Sequence, residues 1–507
     1  MNYMNTQINV TVNGVTITAQ QNTLLSEILK MEKPCGGHAK CGKCKVVACG
    51  ELSEPSDSER RILTVTELLS GIRLACCTYA VGDCTVRVLN SVSCERILTD
   101  SVLTNIQADP QFKQYGVAID IGTTTIAAKL FDKDGNMLSE ACGLNPQQAF
   151  GADVISRIES ALSGHADELT KSIRGKIDEI ILQLARLAKI NPSQIDGIVI
   201  TGNSVMLSLL AGQSVEPFSH APFMLSRKFG ETLTAAELEL YSLTPEASVY
   251  LPPCISAFVG ADITCAVLSS DLMSERCAVL ADIGTNGEIA LNNNGKLSVC
   301  STAAGPAFEG VGIHCGMRAA GGAIDAVTVK DGELEAHVIG ESEAAGICGS
   351  GLIDAAASML ELGILDDSGY LEDGEITIKG SVILTQNDIR MLQLAKSAIY
   401  AGIVTLIQKE GLRTADVDRL FIAGGFGNYL NGESAARIGL LPKALTNVTK
   451  AVGNAALAGA SILLLNQDAV CEAKKIAEKA KTIDLHGNAS FSENYVSGMI
   501  FDELDDL

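Results

Sequence analysis

The sequence contains no tryptophan, and only 4% of its residues are aromatic. Proteins that bind single-stranded nucleic acid use aromatic rings as stacking platforms, so this composition argues against such a surface. Basic residues are also few, because 38 lysines and arginines stand against 60 acidic residues and leave a net charge of −22. An excess of that sign repels a phosphate backbone or an anionic membrane. A nucleotide can still bind, since it needs only a local set of N–H donors.

Targeting signals and long apolar runs are absent as well. Residues 1–17 lack a basic region followed by an apolar run, which is the pattern of a secretory signal. The longest apolar-rich stretch, residues 451–465, is interrupted by Asn454 and Ser461 and is too short to span a bilayer. We therefore expect a soluble, cytoplasmic protein. With 507 residues, 47% of them apolar, the chain can form sizeable cores in roughly two to four domains.

Cysteine, in contrast, is abundant and concentrated near the N-terminus. Eight of the 16 cysteines lie within the first 94 residues. In a reducing compartment, such a cluster indicates metal ligands or buried small side chains rather than disulfides. Cys35, Cys41 and Cys44 follow one another with five and two residues between them, among three glycines, and Cys76 comes later. This pattern predicts a loop around a metal centre, with a zinc site or simple buried thiols as alternatives.

The same N-terminal segment has the pattern of a compact β-rich unit. Residues 7–12 alternate between apolar and polar, as a half-buried strand does, and residues 15–19 return after an Asn-Gly turn at 13–14. Residues 23–29 are predicted to form a short helix, and residues 84–89 a closing strand. Two strands, a helix, a metal loop and a returning strand predict a β-grasp fold.

From residue 115 the pattern changes to buried strands alternating with helices, after a polar stretch at 99–114 that we interpret as a linker. An internal repeat lies in this region. Asp-Ile-Gly-Thr at 120–123 follows a buried strand, and the same four residues recur at 282–285, an offset of 162 residues. A repeat of this length is not that of a solenoid and predicts a duplicated lobe.

Both copies of the repeat end in a turn suited to phosphate. Glycine N–H groups and threonine hydroxyls can contact phosphate oxygens, and an aspartate at the strand end can hold Mg²⁺ through water. The candidate residues are Asp120, Gly122, Thr123 and Thr124 in the first copy, and Asp282, Gly284, Thr285 and Asn286 in the second. Two such turns facing each other would hold a triphosphate from both sides, with Asp120 and Asp282 as the catalytic candidates. The P-loop pattern is absent.

A strand also leads into Gly424, Gly425 and Phe426. An adenine and its ribose would fit against the bare backbone of such a Gly-Gly turn. The Thr-Gly-Asn-Ser segment at 201–204 suits a turn that connects two lobes.

A further glycine-rich segment contains Gly349, Ser350 and Gly351. Its glycines indicate close approach of the backbone to a ligand or a partner, or else tight packing of the lobe. Two acidic residues in neighbouring glycine-rich stretches, Glu309 and Asp325, are candidates for holding water or Mg²⁺.

Two of these patterns resemble known families. The cysteine spacing, with Arg-Leu-Ala-Cys at 73–76, is similar to the [2Fe-2S] ferredoxins of the adrenodoxin class. That resemblance implies Cys35, Cys41, Cys44 and Cys76 as cluster ligands, and it favours Cys76 over the neighbouring Cys77 and Cys84. The ordered series of two phosphate turns, a connecting turn and a Gly-Gly turn resembles the ASKHA superfamily of actin, sugar kinases and Hsp70-type ATPases.

The whole chain resembles the reductive activators of corrinoid proteins, in which a ferredoxin precedes an ASKHA ATPase. The resemblance implies an ATP-dependent one-electron reduction of cobalt(II) cobamide to cobalt(I), the methyl-accepting state in methyltransferase systems of anaerobes. The implied cofactors are a [2Fe-2S] cluster, ATP and Mg²⁺. The implied partners are a corrinoid protein, which carries the cobamide, and a low-potential electron donor, and a homodimer is left open.

We therefore expect an α/β multidomain protein. A β-grasp [2Fe-2S] ferredoxin domain would precede a two-lobed ASKHA ATPase. The expected divisions are residues 1–98 for the ferredoxin, 99–114 for the linker, 115–275 for lobe 1, 276–450 for lobe 2, and 451–507 for a C-terminal helix and tail that pack back on the ATPase.

A non-enzymatic electron carrier with a degenerate nucleotide fold is one alternative, although the intact Asp120, Asp282 and Gly424 argue against degeneracy. Two other enzymatic functions stay open at this point. One is an ATP-dependent, low-potential electron donor for another acceptor, such as a radical dehydratase of the 2-hydroxyacyl-CoA type. Activators of that type, however, carry a [4Fe-4S] cluster within the ATPase fold rather than a separate ferredoxin. The other is a sugar or acetate kinase, which would need an acceptor site and a base that the sequence does not reveal.

Overall fold

The computed structural model describes residues 7–12, 15–29, 31, 39, 42, 44–64, 67–68, 70–88, 108–340, 342–425 and 429–504. The chain divides into two compact units, one of residues 1–93 with 146–160 and the other of residues 94–145 with 161–507. The predicted turn at 13–14, Cys35, Cys41 and Phe426 lie outside the described residues.

The N-terminal residues of the first unit form a mixed sheet. Strands β1 to β6 are Gln7–Val12, Val15–Gln20, Thr23–Leu24, Lys45–Leu52, Ile72–Leu74 and Tyr79–Val88, and helices α1 and α2 are Leu25–Ile28 and Asp57–Ile62. The strand order is β2-β1-β6-β4-β5, and β3 pairs with β6. Strands β1 and β2 are antiparallel, whereas β1 runs parallel to β6.

The predicted first two strands are confirmed, because the buried Ile8 and Val10 alternate with exposed neighbours. The predicted helix at 23–29 is shorter than expected. Thr23 and Leu24 pair with the start of β6, and only Leu25–Ile28 is helical. The closing strand is longer than predicted, since it begins at Tyr79. Pairing with distant strands overrides the local pattern at both places.

The second unit contains most of the strands of the chain. Strands β7 to β12 are Tyr115–Ile121, Thr125–Asp132, Met137–Leu144, Ile195–Gly202, Glu231–Thr234 and Ser248–Leu251. Strands β13 to β18 are Cys277–Ile283, Gly287–Asn293, Lys296–Thr302, Ala323–Lys330, Glu333–Val338 and Gly346–Ile347. Strands β19 to β23 are Glu375–Lys379, Val382–Thr385, Arg419–Ala423, Thr449–Gly453 and Lys481–Thr482.

Two six-stranded sheets of this unit share the same topology in five of their strands, and the sixth strand is β11 at one edge of the first sheet and β23 at the opposite edge of the second. Their strand orders are β11-β12-β10-β7-β8-β9 and β22-β21-β13-β14-β15-β23. Each sheet contains three successive antiparallel strands, and a later strand pairs in parallel with the first of the three. The parallel pairs are β10 with β7 and β21 with β13. This correspondence confirms the duplicated lobe predicted from the internal repeat. Two smaller sheets, β17-β16-β18 and β19-β20, complete the strands.

Further helices lie along the rest of the described chain, and the first of them belongs to the first unit. They are α3 (Val154–Ser160), α4 (Ala166–Ala188), α5 (Ser204–Leu210), α6 (Ala261–Ser269), α7 (Gly349–Glu361), α8 (Gln386–Lys409), α9 (Gly432–Arg437), α10 (Ala455–Leu465), α11 (Gln467–Lys479) and α12 (Ala489–Ser497). Among the described helices, α8 is long and apolar enough to cross a membrane, but 83% of its most apolar window is buried inside the protein. It therefore packs as a core helix of the folded unit does.

The central strand β13 is buried on both faces. Val279 and Ala281 belong to one apolar cluster, which also includes residues of α7 and α8. Ala278 and Leu280 point to the opposite face and join a second cluster with residues of α6. Because successive side chains of a strand point to opposite faces, this strand is held between two cores. Its C-terminal end, which carries Asp282, is thereby fixed in position.

Candidate nucleotide site and cysteine centre

The two predicted phosphate turns meet in the second unit. The turn after β7 brings the Thr124 hydroxyl oxygen to 3.5 Å from that of Thr285, in the turn after β13. Both threonines are buried. Gly122 and Gly284 close their turns by donating backbone N–H groups to carbonyl oxygens within the same turn. The structure therefore brings together the two copies of the repeat at their phosphate turns.

Asp120 and Asp282 lie at equivalent positions near the ends of β7 and β13. Burial raises the pKa of Asp120 to about 7, although a hydrogen bond from Asn454 Nδ2 at 3.0 Å opposes this effect. Burial, together with the negative charges of Asp262 and Asp120, raises the pKa of Asp282 to about 8. Such mutual effects require the carboxylates to lie near one another.

Two further carboxylates of this group, Asp262 and Glu288, were not predicted from the sequence. Asp262 lies in the first turn of α6, and burial raises its pKa. Glu288 pairs with Asp282 across the β13–β14 ladder, and burial and the charges of Asp262 and Asp282 raise its pKa well above the usual range. The sequence did contain one indication of Glu288. When the two copies of the repeat are aligned, an acidic residue at 288 replaces the apolar Ile126 of the first copy.

These carboxylates suit a divalent cation that is held partly through water. None of the ion pairs between described side chains involves Asp120, Asp262, Asp282 or Glu288. Nor does any group of three His, Cys, Asp or Glu side chains in the described ranges have the geometry to bind a metal directly. Mg²⁺ fits this arrangement, since it keeps several waters and takes one or two carboxylates plus phosphate oxygens.

The predicted connecting turn contacts the first phosphate turn through Asn203. Its side-chain amide donates to the Thr123 hydroxyl at 3.3 Å, while its Oδ1 accepts the Met206 N–H and caps α5. A Cβ on Gly260 would lie 2.5 Å from the Asn203 Cα. Gly260 therefore allows the start of α6, which carries Asp262, to pack directly on this turn.

The predicted adenosine turn lies against the second phosphate turn. Gly424 has φ of +104°, and a Cβ there would lie 2.4 Å from the Ile283 carbonyl oxygen and 3.1 Å from Asp282 Oδ1. No side chain fits between these segments, which explains the glycine. Gly425 follows at the end of the described segment, and Phe426 lies beyond it.

The structure places Gly349, Ser350 and Gly351 in the buried first turn of α7. A Cβ on Gly349 would lie 2.2 Å from the Phe308 carbonyl oxygen, and one on Gly351 would lie 2.3 Å from that of Ile324. Close packing accounts for both glycines. The role of this segment in binding a ligand stays a prediction.

Of the two acidic candidates, Glu309 contacts the site and Asp325 has another partner. Glu309 Oε1 accepts the Thr285 hydroxyl at 2.8 Å. Asp325 instead pairs with His337 Nδ1 at 2.5 Å. Arg318, which was not predicted, donates to the Thr124 carbonyl oxygen at 3.5 Å.

In the first unit, two of the four predicted cluster cysteines are described. Cys44 and Cys76 are buried in the same apolar cluster, and the Ala75 N–H donates to the Cys44 carbonyl oxygen at 2.9 Å. Cys84 pairs with Gly50, six residues along β4 from Cys44, which corresponds to about 20 Å. That separation is too long for one cluster and leaves Cys76 and Cys77 as candidates for the fourth ligand.

A buried carboxylate holds the segment that carries Cys76. Glu59 accepts hydrogen bonds from Arg73 Nε at 3.0 Å, from the Leu74 N–H at 3.1 Å and from the Thr78 hydroxyl at 3.0 Å. Burial by itself would raise the pKa of Glu59, but the bonds from Arg73 and from backbone N–H groups lower it below the usual value. The network fixes the segment that carries Cys76, and the Ala75 N–H joins this segment to Cys44, an arrangement compatible with cysteine ligation of an iron–sulfur cluster.

Comparison with known proteins agrees with this geometry. Residues 276–506 match the family model of the C-terminal domain of RACo, the ASKHA domain, and residues 115–275 match the RACo middle region. The corrinoid activation enzyme RamQ of Eubacterium limosum is 35% identical over 418 residues, which are 76% of this chain and 70% of that protein. The Co(II) methylated amine-specific corrinoid protein reductase of Methanosarcina barkeri is 28% identical over 396 residues, 72% of each chain.

A solved structure extends the similarity to nearly the full length. The reductive activator for corrinoid, iron-sulfur protein matches with a TM-score of 0.75 and 29% identity, and the match covers 98% of this chain and 99% of that one. The relatives named above are thus activators or reductases of corrinoid proteins, and the phosphate turns at Thr124 and Thr285 lie within the regions that match the family models. This chain belongs to the RACo family of reductive activators of corrinoid proteins.

Proposed function

We propose that this protein activates a corrinoid protein by reduction coupled to ATP hydrolysis. One electron would pass to the cobalt(II) cobamide of the partner and give cobalt(I), the state that accepts a methyl group. The observation that carries this proposal is the contact between Thr124 and Thr285 beside a group of buried carboxylates, in a chain of the RACo family. It supports a nucleotide site between two lobes, as an ATP-driven activator requires.

We infer that residues 1–98 are a β-grasp ferredoxin domain with a [2Fe-2S] cluster on Cys35, Cys41, Cys44 and Cys76. The hairpin of β1 and β2, the parallel pairing of β1 with β6 and the shared burial of Cys44 and Cys76 support this inference. When bound, the cluster supplies a single low-potential electron. We further propose residues 99–114 as the linker, 115–275 and 276–450 as the ATPase lobes, and 451–507 as the C-terminal segment.

In the ATPase, Asp120 and Asp282 would hold Mg²⁺ through water, with Asp262 and Glu288 adding negative charge nearby. The phosphates would lie against the turns formed by Gly122, Thr123, Thr124, Gly284, Thr285 and Asn286. The adenosine would lie against Gly424, Gly425 and Phe426. Burial, followed by repulsion from neighbouring carboxylates, raises the pKa of Asp120 and Asp282. A cation would favour the charged form of both groups, so nucleotide and Mg²⁺ should bind together.

The energetics of the reduction support coupling to ATP. Plant-type [2Fe-2S] centres have potentials near −400 mV, and reduction of cobalt(II) to cobalt(I) takes place at very low potential. For a one-electron step, each 59 mV changes the equilibrium tenfold. The protein can shift this equilibrium only by binding one state of the partner better than the other. We propose that binding and hydrolysis of ATP drive the cycle that forms and then releases that complex.

The test is an anaerobic reduction assay with candidate cobalt(II) corrinoid proteins. The reduced protein is mixed with each candidate, and cobalt(I) absorbance is followed with and without Mg-ATP. We expect ATP-dependent cobalt(I) formation that is lost in Cys44→Ser and in Asp282→Asn. Cys49→Ser and Asp331→Asn, both at exposed positions, are the matched controls and should retain it.

Two results would contradict the proposal. One is cobalt(I) formation that is equally fast without nucleotide. The other is ATP turnover with an intact cluster spectrum but no cobalt(I) from any corrinoid partner, which would favour another low-potential acceptor. The physiological electron donor, the homodimer and a cytoplasmic location stay predictions.

A further inference from the structure

Glu309, beside the second phosphate turn, has one carboxylate oxygen without a partner. It is the last residue of the short 3-10 helix Pro306–Glu309, and its Oε1 accepts the Thr285 hydroxyl at 2.8 Å. Its Oε2 is buried and has no hydrogen-bond partner among the described residues. Buried polar atoms are nearly always paired, so an unpaired one needs an explanation.

The backbone holds Glu309 firmly in this position. The Gly305 N–H donates to the Thr285 carbonyl oxygen at 2.9 Å, which ties the start of the 3-10 helix to the phosphate turn. Gly310, directly after Glu309, has φ of +73°, and a Cβ there would lie 2.7 Å from the Met317 N. The segment is therefore held by a hydrogen bond before Glu309 and by close packing after it, and the unpaired oxygen does not result from a loose loop.

Gly284, in the second phosphate turn, lies beside this carboxylate. A Cβ at this position would lie 3.7 Å from Glu309 Oε1, in van der Waals contact with it. Glycine at this position therefore keeps the space between the phosphate turn and Glu309 free of side-chain atoms.

The hydrogen bond between Thr285 and Glu309 also determines what Thr285 can do. A hydroxyl has one hydrogen and two lone pairs, and a carboxylate can only accept. Because the hydrogen of Thr285 is directed to Glu309, its oxygen offers only lone pairs to other groups. While this bond is made, the Thr285 hydroxyl does not donate to a phosphate oxygen, as the sequence pattern suggested, and its oxygen lies as an acceptor next to the acceptor Glu309.

We propose that Glu309 is a catalytic residue that orients and deprotonates the water attacking the terminal phosphate of the nucleotide. The inference rests on the proposed hydrolysis of ATP. One hydrogen of the water would be accepted by Glu309 Oε2 and the other by the Thr285 oxygen, which leaves a water lone pair free to attack. General bases of this kind contribute about 10²- to 10⁴-fold to a rate.

The step balances without any further reagent. The water oxygen forms a bond to the terminal phosphorus, and the bond from this phosphorus to the bridging oxygen breaks, with its electron pair leaving on ADP. One proton of the water passes to Glu309 and then to the released phosphate, so Glu309 returns to its initial state.

The test compares Glu309→Gln and Glu309→Asp with the wild-type chain. Three quantities are measured: kcat for Mg-ATP hydrolysis, alone and with a cobalt(II) corrinoid protein, the Kd of a non-hydrolysable ATP analogue, and the melting temperature. We expect kcat of Glu309→Gln to fall at least about 100-fold while its Kd changes by less than about threefold. Glu309→Asp, which keeps the carboxylate, should recover part of the rate, and Glu333→Gln, at an exposed position, should behave as wild type.

The outcomes separate this inference from the proposed function. If the wild type hydrolyses ATP and Glu309→Gln does so within about threefold, Glu309 is not catalytic. If Glu309→Gln loses analogue binding and thermal stability together with turnover, its role is structural and the inference is wrong. If the wild type binds the analogue but never hydrolyses ATP, with or without the corrinoid protein, the proposed function fails and this inference fails with it.

Discussion

The hydroxyl oxygens of Thr124 and Thr285 lie 3.5 Å apart, although 161 residues separate them in the chain. Each belongs to the turn that ends the first strand of one copy of the internal repeat, so the contact joins the two copies at equivalent turns. Asn203 Nδ2 contacts the first turn, and Glu309 Oε1 contacts the second. A ligand that enters between the turns must therefore contact both lobes, which is how binding at this site can change their arrangement.

Replacing Gly424 by alanine should weaken nucleotide binding. The added Cβ would lie 2.4 Å from the Ile283 carbonyl oxygen and would displace the strand end that carries Asp282. We expect at least about a tenfold loss of affinity for an ATP analogue, which corresponds to about 1.4 kcal/mol. Gly432→Ala is the control, because its Cβ would make only an ordinary contact at 3.5 Å from Thr446. If Gly424→Ala and wild type bind the analogue with equal affinity, the Gly-Gly turn is not part of the nucleotide site.

Cys76 rather than Cys84 should be required for the iron–sulfur cluster. Ala75, beside Cys76, is hydrogen-bonded to Cys44, whereas Cys84 pairs with Gly50 six residues along β4. After anaerobic reconstitution, Cys76→Ser should lose the visible absorbance and electron paramagnetic resonance signal of a [2Fe-2S] cluster, and Cys84→Ser should keep both. A cluster retained in Cys76→Ser but lost in Cys77→Ser would identify the neighbouring thiol as the ligand.

Glu59→Gln should destabilise the first unit and its cluster. The substitution leaves the buried Arg73 without its charge partner and weakens the bonds to Leu74 and Thr78 that hold the Cys76 segment. Breaking a buried ion pair costs about 3–5 kcal/mol. We expect cluster absorbance to be lost at lower urea concentration than in wild type, while Glu54→Gln, at an exposed position, serves as the control. An unchanged midpoint would show that this network contributes little to the stability of the unit.

Lys396 should make the stability of the second unit depend on pH. Its ammonium group is buried in α8 and donates to the carbonyl oxygens of Gly498 and Ile500, both at 2.6 Å. Burial lowers its pKa to about 7 from the 10.5 of an ordinary lysine, although the charge of Asp502 opposes this effect. Between these two pKa values the unfolded chain holds a proton on Lys396 that the folded chain lacks, so the free energy of unfolding should rise with pH across this window. Below it, Lys396 is charged in both states and should add nothing to the pH dependence.

The measurement is urea unfolding of wild type and Lys396→Met between about pH 6.5 and 9.5. The substitution also removes two hydrogen bonds, so the slopes with pH are compared rather than the absolute stabilities. The wild-type slope should exceed that of Lys396→Met and equal that of Lys409→Met, an exposed position on the same helix. Equal slopes in wild type and Lys396→Met would mean that Lys396 stays charged in the folded protein.

The sequence by itself determined the elements with a strong local signal. The Asp-Ile-Gly-Thr segments at 120–123 and 282–285 each follow a buried apolar run, and such runs form strands and turns from local preference and burial alone. The repeat of this pattern predicted the duplicated lobe, and alternation in residues 7–12 predicted the first strand. These features depend on residues close together in the chain, which is why they could be predicted.

Only the tertiary structure decided which side chains converge on the site. Asp262 comes from the start of α6 and Glu288 from β14, and neither local segment indicates that both lie near Asp282. The same holds for Glu309, whose contact with Thr285 depends on how the segment after β15 folds back. It holds again for Gly349 and Gly351, whose ambiguous pattern was resolved by distances of 2.2 and 2.3 Å to backbone oxygens of distant segments. These contacts depend on packing between segments that are far apart in the chain, and a local sequence pattern does not predict such packing.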